Sequence, residues 1–86
     1  MEFEVDKRKS KKNNEKHGID FEEVKALWDD PDLLEMQART EDEPRFIVLG
    51  KINKINWSGV ITYRNSRIRI ISVRRSRVEE VTIYES

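Results

Sequence analysis

Five arginine residues lie within eleven positions near the C-terminus of the chain, and arginine is the side chain best suited to hold a phosphate group. Its planar guanidinium contacts two phosphate oxygens at once and stays charged at any physiological pH. In an extended strand, Arg67 and Arg69 share one face while Ile68 and Ile70 point to the other. Two interpretations are open: a phosphate-binding surface, or a solvated sheet face whose charges prevent aggregation. The cluster comprises Arg67, Arg69, Arg74, Arg75 and Arg77.

Few residues in the chain suit proton transfer. Glu80 and Tyr84 are four residues apart and would share one face of a helix, where a carboxylate accepts a proton and a phenol donates one. The same spacing also suits a structural pair. His17 is the only histidine, which excludes an acid–base scheme of two histidines, and it either caps a helix end before Gly18 or exchanges protons near neutral pH. Lys16 beside it is either solvated or a phosphate contact.

The sequence predicts no metal or cofactor site. Cysteine is absent, so thiolate zinc sites, disulfides and cysteine nucleophiles are excluded. Two acidic clusters, at residues 29–32 and 41–43, lack the glycine and the ligand spacing of a calcium loop. We interpret both clusters as solvated or as facing a protein partner, and we expect the protein to act without a cofactor.

Charge is sorted along the chain although its sum is zero. Residues 1–18 hold six basic and four acidic side chains, residues 19–43 hold two and ten, and residues 44–86 hold nine and three. The C-terminal half therefore predicts a basic surface for an anionic partner. The middle segment predicts an acidic surface that either shields the basic one or meets a basic partner.

Length and composition predict a single small domain over residues 1–86. Only 36% of the residues are apolar and 40% are charged, so we expect a small core and a protein that gains stability from a partner. The N-terminus lacks the pattern of a signal peptide, and no apolar run is long enough to cross a membrane. We expect a cytoplasmic protein with no membrane contact.

Two N-terminal helices are predicted to position these residues. Asp6 suits an N-cap and Gly18 suits a left-handed position after a helix, so they bracket a helix in a segment that contains no apolar residue. A second helix is predicted over residues 20–28, because Asp20 and Glu23 resemble a capping box and the apolar residues that follow have helical spacing. Those apolar residues are Phe21, Val24, Leu27 and Trp28.

The rest of the chain predicts strands and one short helix. A short strand is expected around Phe3 and Val5, and a weaker one at residues 33–37, before an acidic loop at 38–44. Three further strands, rich in β-branched and aromatic residues, are predicted at 45–55, 57–64 and 67–73. Ser76 and Glu79 predict a capping box for a C-terminal helix ending near Glu85. The predicted fold is α+β: two N-terminal helices packed on a twisted antiparallel sheet, with a short C-terminal helix.

Several of these residues follow the pattern of the BrnT toxin family. The opening resembles D-P-x-K-x-x-x-N-x-x-K-H-G-x-x-F, and a D-P pair, an E-x-R element and an R-I-R-I-I-S-A-R strand follow in order. The matching residues are Asp6, Lys9, Asn13, Lys16, His17, Gly18, Phe21, Asp30, Pro31, Glu43, Arg45, Gly50, the segment 67–74, Glu80 and Tyr84. The resemblance runs from about Phe3 to Glu85, which is nearly the whole chain.

The resemblance implies a compact RelE-like fold and the toxin of a bacterial type II toxin–antitoxin pair. It implies a metal-independent endoribonuclease, a hydrolase that binds and cleaves RNA. It further implies neutralisation by a BrnA-like antitoxin with a ribbon-helix-helix DNA-binding dimer, so that DNA is contacted only through the antitoxin. The acidic segment, with Leu33 and Leu34, is expected to hold a basic antitoxin arm that covers the arginine cluster.

The residues and the resemblance together lead to a set of expected roles. Arg69 and Arg74 stabilise the charge on the transition-state phosphate, while Glu80, Tyr84 or His17 moves protons. Contacts to RNA are expected from Lys16, Arg45, Arg67 and Arg77.

Two geometric conditions accompany these roles. Glu43 is expected to orient the site through a buried pair with Arg45 or Arg69. Arg69 and Arg74 are an odd number of residues apart, so a regular strand would send them to opposite faces of the sheet. They converge only if the strand ends or bulges near Val73.

The alternative is a catalytically inactive module of the same fold that binds nucleic acid or antitoxin. The chain departs from the family pattern at Lys7, where proline is usual, at Ile61, where His or Tyr is frequent, and at Val73, which replaces alanine. Its C-terminal helix also carries fewer arginines than usual. A third class, a structural subunit that binds the antitoxin and helps to repress DNA, needs no RNA cleavage either.

Overall fold

A computed structural model describes residues 1–39 and 42–86 of the chain. The strands are β1 (Phe3–Glu4), β2 (Leu34–Ala38), β3 (Arg45–Ile52), β4 (Ile55–Arg64) and β5 (Arg67–Arg75). The helices are α1 (Lys7–His17), α2 (Phe21–Val24) and α3 (Val78–Glu85), with a 3₁₀ helix at Lys25–Asp29 directly after α2. The strands form one sheet in the order β1-β5-β4-β3-β2. The acidic loop expected at 38–44 is covered only in part, because Thr40 and Glu41 lie outside the described residues.

The structure contradicts the expected RelE-like arrangement of two N-terminal helices on an antiparallel sheet. β1 pairs in parallel with β5, with Phe3 opposite Ile68 and Glu4 opposite Arg69, so the sheet is mixed. The segment predicted as a second helix is one α-helical turn followed by the 3₁₀ helix. Residue alternation predicts that β1 is a strand, but the direction of its pairing depends on a partner at the other end of the chain.

Local caps define α1 although the helix has no apolar residue. The Asp6 carboxylate accepts the backbone N–H groups of Arg8 at 2.9 Å and Lys9 at 3.2 Å, as an N-cap does. The hydrogen bond from Lys9 and that from Arg8 lower the pKa of Asp6. At the other end Gly18 has a φ of 77°, a left-handed conformation that glycine adopts without strain, and its N–H reaches the Asn14 carbonyl.

Two buried polar side chains connect α1 to its surroundings. The Asn13 amide donates to the Ile19 carbonyl at 2.8 Å and accepts the Val73 N–H at 3.0 Å. The Ser10 hydroxyl accepts the N–H of Phe21 at 2.8 Å. Through Asn13, α1 covers the part of the β5 edge that the short β1 leaves unpaired.

The apolar core lies between one face of the sheet and the segment that contains α2 and the 3₁₀ helix. The segment buries three residues predicted to face the core, namely Phe21, Val24 and Leu27, all 0% exposed. The sheet contributes Val48, Trp57, Ile61, Ile68, Ile70 and Val73. Gly50 lies close beneath the segment, because a Cβ there would be 2.9 Å from Leu27 Cδ2.

A β-bulge interrupts β5. Val60 pairs with Ser72 and Ile61 pairs with Ile70, so Ile71 is an extra residue without a partner in β4. From Ser72 onward, each side chain therefore points to the face opposite to the one that regular alternation from Ile70 would predict.

The C-terminal helix begins later than predicted. The backbone N–H of the N-cap residue Arg77 donates to Glu80 Oε1 at 2.8 Å, while the Ser76 hydroxyl lies 2.7 Å from Ser58 Oγ. The predicted capping box of Ser76 and Glu79 is therefore wrong by one residue. No residue of α3 is fully buried, so polar contacts carry much of its attachment to the sheet.

Candidate active site and RNA-binding surface

Arg69 and Arg74 point to the same face of the sheet. Arg69 lies opposite Thr62, and Arg74 lies opposite Ser58. Directly paired residues share a face, and Ser58 and Thr62 are four residues apart in β4, so they share one as well. The bulge at Ile71 therefore provides the irregularity that the odd spacing requires, slightly earlier in the strand than expected. We call this surface of β4 and β5 the arginine face.

Arg69 is held in place and remains accessible. Its Nη1 donates to Glu4 Oε1 at 3.1 Å, and its side chain is 25% exposed. Arg64 Nη1 lies 3.8 Å from the same carboxylate, so Glu4 fixes two guanidinium groups at this edge. A guanidinium that is already fixed loses less conformational entropy when it binds a phosphate.

Glu43 forms a surface ion pair where a buried one was expected. Its Oε2 lies 3.7 Å from Arg64 Nη2, and its side chain is 42% exposed. The expected pair was a buried one with Arg45 or Arg69. The ion pair with Arg64 connects Glu43 to the exposed end of β4, and the orienting role of Glu43 stays a prediction.

Arg74 and Glu80 form a two-pronged ion pair. Arg74 Nη1 and Nη2 donate to Glu80 Oε1 and Oε2 at 2.7 and 2.9 Å. Ser58 Oγ and the backbone N–H of Arg77 also donate to Oε1, at 3.0 and 2.8 Å. The bonds from Arg74 above all, with those from Arg77 and Ser58, lower the pKa of Glu80 to about 2 although burial raises it. The same contact raises the pKa of Arg74, so both groups are charged at neutral pH.

Tyr84 binds Asp30 rather than Glu80. Its hydroxyl donates to Asp30 Oδ2 at 2.6 Å, and the backbone N–H groups of Asp32 and Lys51 donate to the same carboxylate. This hydrogen bond, with burial, raises the pKa of Tyr84 to about 12. Burial raises the pKa of Asp30, but the three hydrogen bonds leave it below its ordinary value. The phenol therefore attaches α3 to the turn that follows the 3₁₀ helix.

A basic cleft of about 310 Å³ lies between α1 and β5. Its lining residues are Lys9, Lys12, Asn13, Lys16 and His17 of the helix and Ile71 and Ser72 of the strand. We call it the α1 cleft. Ser72 pairs with Val60, which has the same orientation in β4 as Ser58, so the cleft opens beside the arginine face.

The structure divides the opening motif into structural and surface residues. Asn13 is buried at the base of the α1 cleft and Gly18 ends the helix, whereas the side chains of Lys9, Lys16 and His17 line the cleft from the helix surface. Sequence reasoning singled out Lys16 and His17 and missed the binding potential of Lys9 and Lys12. Their spacing was an available signal, because residues three and four apart form one stripe of a helix.

The other predicted RNA contacts are exposed and lie at the ends of elements. Arg45 begins β3, Arg67 begins β5, and Arg77 caps α3. Arg67 and Arg69 are two residues apart in β5, so their side chains share a face and Arg67 extends the arginine face. The guanidinium of Arg75 instead lies over the Trp57 ring, 5.4 Å from its centre.

Within residues 1–39 and 42–86, no three or more His, Asp or Glu side chains are grouped so that they could hold a metal ion. None of the helices in the same part of the chain has the length and apolar composition needed to cross a membrane.

Comparison with known families gives one assignment. A sequence model described as the ribonuclease toxin BrnT of type II toxin–antitoxin systems matches residues 6–80. A comparison with curated proteins gives no significant match. The matched segment runs from the N-cap of α1 to Glu80, so it contains the α1 cleft, the arginine face and the Arg74–Glu80 pair. The chain therefore belongs to the BrnT family of ribonuclease toxins of type II toxin–antitoxin systems.

Proposed function

We propose that this protein is an endoribonuclease toxin that binds and cleaves RNA at the arginine face and the adjoining α1 cleft. The observation that carries the proposal is the bulge at Ile71, because it turns Arg69 and Arg74 to one face beside a cleft that contains His17. Cleavage of a phosphodiester requires fixed positive charge at the phosphate and a group that moves protons, and the two features supply them side by side.

In the proposed reaction the ribose 2′-oxygen attacks the neighbouring phosphorus, and the bond between phosphorus and the 5′-oxygen breaks. His17 accepts the proton of the 2′-hydroxyl, and the departing 5′-oxygen takes a proton from the imidazolium or from water. Arg69 and Arg74 stabilise the negative charge that develops on the phosphate. The scheme is metal-independent and leaves a cyclic phosphate on one product and a 5′-hydroxyl on the other.

Glu80 and Tyr84 have positioning roles in this proposal. The oxygens of Glu80 already accept hydrogen bonds from Arg74 and Ser58, and its low pKa makes it a weak base. The hydroxyl of Tyr84 is bound to Asp30, and its raised pKa makes it a weak acid. We infer that both residues hold α3 on the sheet and so keep Arg74 in a fixed orientation.

RNA binding involves a larger surface than the reacting phosphate. We assign contacts with the flanking phosphates to Lys16 and Arg67, as the sequence predicts, and add Lys9 and Lys12 because they line the same cleft. Arg45 and Arg77 lie further from the cleft, at the start of β3 and of α3, and contribute to long-range attraction of RNA.

Replacement of Arg69 by alanine tests the central assignment. We expect Arg69→Ala to lower the cleavage rate of a short single-stranded RNA by about 10² to 10³, the effect of losing one fixed charge-stabilising donor. Glu4→Gln is the matched control, because it removes the ion-pair partner of Arg69 and leaves the guanidinium. An Arg69→Ala protein that is folded and cleaves at the parent rate would exclude this assignment, as would an equal loss in Glu4→Gln.

A chelator tests the metal-independent scheme. Cleavage by the parent should continue unchanged in excess EDTA. Loss of activity that added Mg²⁺ restores would rule the scheme out.

We also propose that the antitoxin is BrnA-like, with a ribbon-helix-helix dimer that contacts DNA, while this chain contacts DNA only through it. Family membership supports an antitoxin partner. The acidic segment of residues 19–43 supports a basic binding arm. The purified complex should therefore cleave RNA more slowly than the free protein, and equal rates would contradict neutralisation by this route.

A second candidate function is RNA or antitoxin binding without catalysis. The Arg74–Glu80 pair favours it, because both terminal nitrogens of Arg74 are already engaged. The departure at Ile61 does not favour it, since that side chain is 0% exposed and lies in the core, on the side opposite the arginine face. RNA binding by the parent with no cleavage above that of buffer would establish this second function.

A further inference from the structure

The edge strand β2 offers unpaired backbone groups on the side of the molecule opposite α1. β2 lies at the end of the sheet, and its only strand partner among the described residues is β3. The outer side of such a strand presents N–H and C=O groups that can pair with an added strand. At the other end of the sheet, β1 pairs with Ile68 and Arg69 of β5, and Asn13 of α1 accepts the N–H of Val73.

A cleft with both apolar and polar lining residues lies beside this edge. Leu34 of β2 pairs with Leu49, which pairs with Ser58, so Leu34 points to the side of the sheet on which α3 is docked. Leu34 and Ile83 line a cleft of about 630 Å³ between β2 and the end of α3, and Ile83 is 42% exposed. Side chains from one face of an added strand would enter this cleft, since alternate residues of a strand share a face.

The rim of this cleft is acidic. Asp32 and Glu85 line it together with the apolar residues, and both are exposed. The acidic segment that contains β2 holds ten acidic and two basic side chains over residues 19–43. A second copy of the chain would bring two such edges together and repel, whereas a basic segment is attracted.

We propose that the β2 edge and the cleft beside it bind an extended basic segment of the antitoxin, which adds a strand to the sheet. An apolar side chain of this segment fills the space between Leu34 and Ile83, and flanking Lys or Arg residues pair with Asp32 and Glu85. The proposal rests on the antitoxin partner of the proposed function and specifies where and in what conformation that partner docks. It leaves the α1 cleft at the opposite edge free for the rest of the antitoxin or for RNA.

A synthetic peptide, Lys-Leu-Lys-Val-Lys-Leu-Lys, provides the probe, and its glutamate counterpart, Glu-Leu-Glu-Val-Glu-Leu-Glu, is the control peptide. Titration into the isotope-labelled full chain, followed by amide NMR shifts, should perturb Leu34–Ala38 and residues 83–86 and leave α1 unchanged. Amides of β2 should gain protection from hydrogen exchange in the complex. The glutamate peptide should not bind.

Variants separate this site from non-specific attraction. The double variant Asp32→Lys/Glu85→Lys and the single variant Ile83→Glu should each weaken peptide binding about tenfold. Two matched controls should bind as the parent does. Glu15→Lys reverses an exposed charge on α1, and Val78→Glu adds a charge at a 78% exposed position of α3 away from the cleft.

Three results would overturn the proposal. They are NMR shifts centred on α1 or β5, equal peptide affinity of the parent and Asp32→Lys/Glu85→Lys, and sedimentation of the free chain as a dimer that Ile83→Glu dissociates. The last would identify a second copy as the occupant. Because peptide binding is measured without RNA, a chain that binds the peptide at β2 and cleaves no RNA would refute the nuclease and support the docking site.

Discussion

Glu80 connects three elements, because its carboxylate accepts hydrogen bonds from Arg74 in β5, from Ser58 in β4 and from the backbone of Arg77 before α3. These contacts, that with Arg74 first, hold its pKa at about 2, against an ordinary value of 4.5. Between the two values the unfolded chain binds a proton that the folded protein does not. The free energy of unfolding should therefore fall as the pH is lowered from about 5 to about 2.

We predict that Glu80→Gln lowers the free energy of unfolding near neutral pH by about 2 kcal/mol and weakens its dependence on pH in the acid range. Urea unfolding followed by tryptophan fluorescence at about pH 7 and about pH 3 measures both effects. Glu79→Gln changes the exposed neighbouring carboxylate and should behave as the parent does. Equal acid sensitivity of parent and Glu80→Gln would show that the pair contributes no stability.

Asn13 attaches α1 to β5 and to the residue after Gly18 through two buried hydrogen bonds. Asn13→Ala leaves the Val73 N–H and the Ile19 carbonyl without their partner in a buried place, so we expect a loss of about 2 kcal/mol in the free energy of unfolding. Asn14→Ala replaces an exposed side chain one position further on and should change it by less than about 0.5 kcal/mol. Similar losses in the two variants would mean that the Asn13 contacts are dispensable.

The two-residue turns that connect β3 to β4 and β4 to β5 are strained. Both central residues of each turn have positive φ: 50° and 69° at Asn53 and Lys54, and 52° and 64° at Asn65 and Ser66. Glycine adopts this conformation more readily than lysine or serine. We predict that Lys54→Gly and Ser66→Gly each stabilise the protein by about 0.5 to 1 kcal/mol, measured as a higher midpoint of thermal unfolding. Ser66→Ala keeps the strain and should give no gain.

The elements whose signals are local could be predicted from the sequence. Asp6 and Gly18 delimit α1 as expected, although nothing between them is apolar. The second helix was predicted too long, because helical spacing of apolar residues does not distinguish an α-helix from an α turn followed by a 3₁₀ helix.

The site depended on contacts that no local pattern reveals. The bond between Tyr84 and Asp30 joins residues 54 positions apart, so the sequence could propose Tyr84 as a proton donor without any sign of its partner. The bulge, in contrast, is indicated by the sequence. Two adjacent isoleucines, Ile70 and Ile71, interrupt the alternation of apolar and polar residues in β5. This interruption lies at the bulge, after which the side chains point to the other face.

At the scale of the whole molecule, opposite charges lie at opposite edges of the sheet. Lysines of α1 flank β5, while acidic residues surround β2. This separation should attract RNA to the α1 cleft and make binding depend on salt.

We predict that Lys16→Ala weakens RNA binding at low salt and reduces the slope of log affinity against log salt by about one unit. Titrations of a fluorescent RNA at several salt concentrations measure the slope. Lys11→Ala is the matched control, because Lys11 lies on a different side of α1, beside Val5 and Asn14. An unchanged slope in Lys16→Ala, or the same reduction in Lys11→Ala, would place the bound RNA elsewhere.

The parallel pairing of β1 with β5 determines when the arginine face can form during synthesis of the chain. Phe3 pairs with Ile68, and Glu4 pairs with Arg69, so the arginine face cannot assemble before β5 has been synthesised. Ribosomes add roughly 5 to 20 residues per second, and domains fold as units once their strands are available. Until β5 has left the ribosome, the nascent chain therefore lacks the surface that we propose to act on RNA, and the messenger RNA being read is not exposed to that surface.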